Sequence, residues 1–142
     1  MPTSTNFRIE GVSNVISMLK TVEKNIKKEV YAGITESCLL VTKEVKTSIA
    51  GRGDEQRSVD TGRFLNSVSY EVKGIDSGIV FSPMEYSKYL EYGTSKGIRP
   101  RRHFRNSLAR KKFEVINIMQ KRTNTACKVG FMTVAGENIT PP

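Results

Sequence analysis

The stretch SVSYEVKGIDSGIVFSPMEYSKYLEYG, residues 67–93, switches its hydrophobic period partway along, and that switch decides the fold. Val68, Tyr70 and Val72 alternate with Ser69, Glu71 and Lys73, the period-two pattern of a strand with one buried face. GIDSG is turn chemistry and IVFS a second apolar run, so residues 67–82 are expected to form an antiparallel β-hairpin. The pattern then turns helical. Ser82 can cap, Pro83 suits the first helical position and Glu85 can complete a capping box, which predicts a short helix over about 83–92. Gly93 would close it in the left-handed conformation that glycine tolerates. Tyr86, Tyr89 and Leu90 share one face of that helix, a pattern of core or interface packing more than of a base-stacking platform.

Upstream, Val15, Leu19, Val22, Ile26, Val30, Ile34, Cys38, Val41, Val45 and Ile49 recur at spacings of three and four. They predict one amphipathic helix to about Ala50, capped at Ser13 or Asn14 and kinked or broken near Gly33. A helix of that length outruns a single small core, which points to burial by a neighbouring subunit. Ahead of it, FRIEGV reads as a short strand or extended lead-in. After it, AGRGDEQRSVDTG is glycine-rich and charged and is expected to be a flexible surface loop over about 50–59. Its Arg52-Gly53-Asp54 matches an adhesion tripeptide, but so short a motif is common by chance. Asp60 or Thr61 can then cap one helical turn that directs Phe64 and Leu65 inward.

Downstream, Phe104, Leu108, Val115, Ile116 and Met119 mark a last helix from about Phe104 to Cys127. The Gly and Pro content of VGFMTVAGENITPP argues that residues 129–142 form a non-helical tail. The expected architecture is therefore α+β: a long N-terminal helix and a C-terminal helix packed on a small antiparallel sheet, in a single domain over residues 1–142.

Composition limits the function. Of the net charge of +9, most comes from eight basic residues between Tyr92 and Phe113 with no acid among them: Lys96, Arg99, Arg101, Arg102, Arg105, Arg110, Lys111 and Lys112. Such a block faces water, a polyanion or carboxylates of another chain, because burying unpaired charges costs several kcal/mol each. Cys38 and Cys127 are far apart in sequence, with no CxxC and no clustered His, so a reduced protein without a disulfide framework is expected, and Cys38 lies on the apolar stripe as a core residue. No apolar run approaches the roughly 18 residues that span a bilayer, and the first residues lack the apolar core of a signal peptide, so a soluble chain is expected.

Chemistry finds little purchase. GTSKGIRP has neither the spacing nor the strand-to-helix context of a phosphate-binding loop. The only histidine, His103, sits among arginines that would depress its pKa, and Asp54, Glu55 and Asp60 have no His or Cys at ligand spacing. No catalytic residue, metal or cofactor is expected. Nucleic-acid binding is the physical competitor, since eight cations can neutralise phosphates, although only Phe104 and Phe113 interleave them.

VDTGRFLNSVSYEV followed by YSKYLEYGTSKGIRPRRHFRNSL resembles the paired signature segments of the tailed-bacteriophage neck proteins, also called minor tail, tail-completion or head-tail connector proteins. Members typically carry Val-Asp-Thr-Gly-Arg-Leu, Asn-Ser and a strand, then Tyr-Ala, Val-Glu-Phe-Gly-Thr and Pro-Phe-Leu-Arg-Pro-Ala. Asp60, Thr61, Gly62, Arg63, Asn66 and Ser67 match the first segment, and Tyr86, Tyr89, Glu91, Gly93 and Thr94 match the second. Phe64 stands where Leu is usual, Ser87 replaces Ala, Tyr92 replaces Phe, and Arg102, His103 and Asn106 depart from the proline-flanked block. The resemblance covers about residues 8–125. It implies a non-enzymatic virion subunit, assembled in the host cytoplasm into a ring, six-fold favoured, that joins the DNA-filled capsid to the tail. The implied partners are other copies, connector proteins, tail-tube or tail-terminator proteins, and genomic DNA in the channel. Gly93 and Thr94 then become a structural corner, and Arg99, Arg101, Arg102, Arg105 and Glu91 become candidates for a subunit or DNA-facing surface.

Overall fold

The computed structural model describes residues 10–134 except Asp54, with side chains described as far as Lys128. The elements run in the order α1 (Val12–Ala50), α2 (Arg63–Ser67), β1 (Ser69–Lys73), β2 (Ser77–Phe81), α3 (Ser87–Tyr92) and α4 (His103–Val134). The fold is α+β. Asp54 of the adhesion-like tripeptide and the lead-in residues before 10 lie outside the described residues.

The two long helices pack antiparallel along much of their length. Ser48 meets His103, Glu44 meets Arg110, and Gly33 faces Met119 and Arg122. Gly33 does not break α1, which runs uninterrupted through it. A Cβ at Gly33 would stand 2.8 Å from Met119 Sδ, so glycine is there to let the helices approach. Arg122 fastens that crossing by reaching Glu29 at 3.2 Å and Glu36 at 2.9 Å. These partly exposed ion pairs set register more than they add stability.

The hairpin is antiparallel, with Tyr70 opposite Val80 and Val72 opposite Gly78. It lies on α1, with Gly78 directly over Cys38 and Ile34. Val41, Val45 and Ile49 of α1, Phe64 of α2 and Val68 at the entry to β1 form the core, and Val59, Leu65, Val80, Leu90, Phe104 and Val115 pack around it. The core thus occupies only the second half of α1. The same stripe is exposed at its start, where Val12, Val15, Ile16 and Leu19 stay about half accessible. Cys38 is buried, which pushes its thiol pKa up and keeps it protonated.

Several expected boundaries shift. The cap of α1 is Gly11 in the left-handed conformation, two or three residues earlier than Ser13 or Asn14 would set it, with no side-chain cap. Gly62, at φ 75°, likewise caps α2 in place of Asp60 or Thr61. The short helix starts at Ser87, not near Pro83. The capping box fails because Ser82 Oγ is bonded to Ser67 Oγ at 2.7 Å and to the Met84 N–H at 3.3 Å, which makes a tight turn ahead of the helix. At the other end α4 continues through 129–134, past the expected stop at Cys127, and residues 135–142 lie outside the described residues. A single glycine inside VGFMTV costs a helix only about 1 kcal/mol, which an established helix absorbs. Among the described residues no helix is long and apolar enough to cross a membrane.

Candidate functional site

The two resemblance segments meet where α2, α3 and the start of α4 converge on the end of α1. Phe64 of the first segment packs against Tyr86 of the second, with ring centroids 5.8 Å apart, and its other neighbour is the His103 ring at 6.3 Å. Ser67 and Ser82 tie the two chain segments across the base of the hairpin.

From Gly93 the chain turns sharply. Gly93 has φ 76° and ψ −179°, a combination open almost only to glycine, and a Cβ there would lie 2.7 Å from Ile98 O and 3.0 Å from Pro100 N. Thr94 holds the loop closed, its N–H donating to Ile98 O at 2.9 Å and its hydroxyl accepting from the Ile98 N–H at 3.3 Å. The arm then returns, and the Arg101 N–H donates to Leu90 O at 2.7 Å. Arg102 takes φ 53°, a left-handed conformation that costs a non-glycine residue about 1 kcal/mol, immediately before α4.

Glu91 has a defined role inside the chain. Its carboxylate accepts the Phe104 N–H at 3.1 Å and the Arg105 N–H at 2.9 Å, so α3 supplies the N-terminal cap of α4. A carboxylate there satisfies two backbone donors that would otherwise lack partners, and it offsets the positive end of the helix dipole. Both carboxylate oxygens of Glu91, a candidate for a subunit or DNA-facing surface, are thus engaged within the chain.

Beneath the arm lies a polar centre that periodicity did not reveal. His103 is 1% exposed; its Nδ1 is 2.9 Å from Ser48 Oγ and its Nε2 is 2.6 Å from Ser58 Oγ. Arg101 donates to Ser58 Oγ at 2.5 Å and to Arg57 O at 3.0 Å. The imidazole pKa is lowered, first by burial and then by Arg101 and Arg110, against an opposing pull from Glu91 and Glu55. Burial is thus the leading cause, ahead of the arginines expected from sequence. A neutral imidazole that bridges two serine hydroxyls ties the end of α1, the 51–59 loop and the start of α4 together.

The composition of that loop, glycine-rich and charged, predicts a flexible surface segment. Yet Ser58 N–H donates to Ile49 O at 2.9 Å, Arg52 pairs with Glu44, and Glu55 pairs with Arg110. Glu44 is itself buried on α1 and also takes Arg110 at 3.2 Å. Opposite charge from distant segments draws the loop onto the helices, a pairing that composition cannot show.

The basic block therefore divides. Arg101, Arg110 and Lys111 have partners within the chain, Lys111 with Glu114 at 2.7 Å. Lys96, Arg99, Arg102, Arg105 and Lys112 are exposed, and no ion pair or side-chain hydrogen bond engages them among the described residues. Asp60, Thr61 and Arg63 are exposed as well. Beside the exposed arginines runs a groove of about 680 Å³. Val41 floors it, Val80 and Phe81 form one wall, Phe104 and Leu108 the other, and Lys88, Arg102 and Arg105 sit along its rim. Among its lining residues Tyr92 is 80% exposed, and Phe113, elsewhere on α4, is 75% exposed. No group of His, Cys, Asp and Glu among the described residues is arranged to hold a metal ion.

No protein-family model, curated protein or solved structure matches this chain.

Proposed function

We propose that the chain is a structural subunit of the head-tail junction of a tailed bacteriophage, a neck, connector or tail-completion component that assembles as a ring. The observation that carries this reading is the junction of the two resemblance segments. Five of their matching residues help build the corner: Gly62 caps α2, Ser67 ties the hairpin base, Glu91 caps α4, and Gly93 and Thr94 turn the arm. The surface left around that corner suits assembly. Apolar residues such as Tyr92 and Leu108 are exposed beside Arg102 and Arg105, which have no partner of their own among the described residues, the mix typical of a protein interface.

Mass spectrometry of purified particles, together with electron microscopy of particles made without this chain, tests the reading. DNA-filled heads and separate tails are expected in its absence. Joined, infectious particles without it would overturn the proposal.

A second reading, a DNA- or RNA-binding accessory domain, is favoured by one observation: Lys96, Arg99, Arg102, Arg105 and Lys112 form an exposed cationic surface with no acid paired to it. In that case affinity for a short duplex falls steeply as salt rises, by roughly one power of salt concentration per phosphate contacted. Flat, weak binding across the salt range removes this reading.

A further inference from the structure

The groove beside β2 has the form of a slot for one more strand. The hairpin has only two strands, so the edge of β2 away from β1 leaves its backbone N–H and C=O groups unpaired among the described residues. The groove lies on that side: it is lined by Gly78, Val80, Phe81 and Ser82, and by no residue of β1. Its floor is α1 at Val41 and its far wall is α4 at Phe104 and Leu108. A two-stranded ribbon is weak alone, and an open strand edge beside an apolar trough is the arrangement that accepts an added strand.

We propose that this slot receives residues 5–9, Thr-Asn-Phe-Arg-Ile, from a second copy of the chain. This deepens the ring reading, on which the choice of a second copy rests. Phe7 and Ile9 alternate with Arg8, so a strand pairing with β2 directs both apolar side chains into the trough and Arg8 outward. The stretch matches the length of β2, which has 5 residues. It cannot come from the same copy. From Val12 to Val41 the helix rises about 44 Å at about 1.5 Å per residue, whereas the three-residue link from Ile9 to Val12 spans at most about 11 Å fully extended. Donation between copies places α1 of each subunit across its neighbour, which also gives the exposed start of α1, Val12 to Leu19, a surface to lie against.

Two full-length variants in a Cys127→Ser background test this, Ile9→Cys as donor and Leu108→Cys as acceptor. Leu108 is exposed, so its replacement leaves the core intact, and circular dichroism checks both chains. Mixed under mild oxidation, they are expected to give a reducible dimer in which mass spectrometry finds residue 9 joined to residue 108. Phe7→Asp added to the donor should abolish that product. Absence of the 9–108 linkage overturns the proposal, as does equal linkage to Tyr31→Cys, an exposed control on α1. Failure here is distinct from failure of the ring reading. A chain found in phage particles that lacks the linkage refutes only strand donation. Linked chains absent from particles refute only the phage role.

Discussion

At the residue scale, two buried or half-buried polar groups near the arm, His103 and Glu91, tie distant segments together. His103 has its pKa lowered below the ordinary 6.5 by burial, so the unfolded chain takes up a proton at a higher pH than the folded one. Its contribution to stability is therefore complete above about pH 6.5 and is lost as pH falls below it, levelling off once the folded state is also protonated. Urea titrations from about pH 8 to about pH 5 should show this slope, and His103→Gln should flatten it relative to the parent. Protonation would also set an imidazolium next to the Arg101 guanidinium on Ser58, which opposes the change. Glu91 is the second group. Glu91→Ala removes both acceptors from the start of α4 and is expected to cost about 1–2 kcal/mol in the same titration. Glu91→Gln should fall between, because a carboxamide keeps one acceptor oxygen and no charge. Equal stability of the alanine variant would remove the capping role.

At the scale of elements, two glycines that look alike in the sequence are expected to respond in opposite ways. Gly33→Ala brings a Cβ to 2.8 Å from Met119 Sδ, the far end of a flexible side chain that can swing aside. The helix meanwhile gains about 0.5–1 kcal/mol from the change, so the net effect should be near zero. Gly93→Ala meets backbone at Ile98 and Pro100 and a dihedral pair that alanine avoids, with nothing able to yield. A loss of about 2 kcal/mol or more is expected, together with weaker hydrogen-exchange protection at Arg101, whose N–H bonds α3. Thermal melts of the two variants compare them directly. A glycine between two helical runs thus reads in sequence as a break, whereas here one marks a close helix crossing and the other a corner.

At the scale of the whole molecule, the division of the basic block decides which charges are free to meet a partner. Arg101 is engaged below the arm, so reversing it should disturb the fold itself. Arg99 and Arg105 are exposed and cleaner probes. Arg99→Glu with Arg105→Glu should leave the melting midpoint essentially unchanged while abolishing assembly or nucleic-acid binding, whichever the surface serves. Lysine at both positions separates the two. Pairing with carboxylates of another subunit uses the planar fork of arginine and should be only partly rescued, while phosphate binding needs mainly charge and should recover nearly fully. Light scattering and duplex titration of both pairs give the answer, and a doubly reversed variant that still assembles and binds would exclude this surface from either role.

What the sequence determined by itself was set by local rules. The alternation at Val68, Tyr70 and Val72 produced the hairpin, the stripe from Val15 to Ile49 produced the long helix, and a left-handed glycine turned the chain at Gly93. Those signals act over one to four residues, where side-chain direction and backbone sterics suffice. Tertiary structure decided the rest. Ser48 and His103 are 55 positions apart, and Glu44 and Arg110 are 66 apart, so neither pair leaves a mark in any local window. The cap of α4 came from Glu91 on another helix, and Ser82 was diverted to Ser67. In each case a donor or acceptor that local rules left to water found a partner only once the two long helices had brought distant segments together, and the apolar trough beside β2 exists only as a product of that same packing.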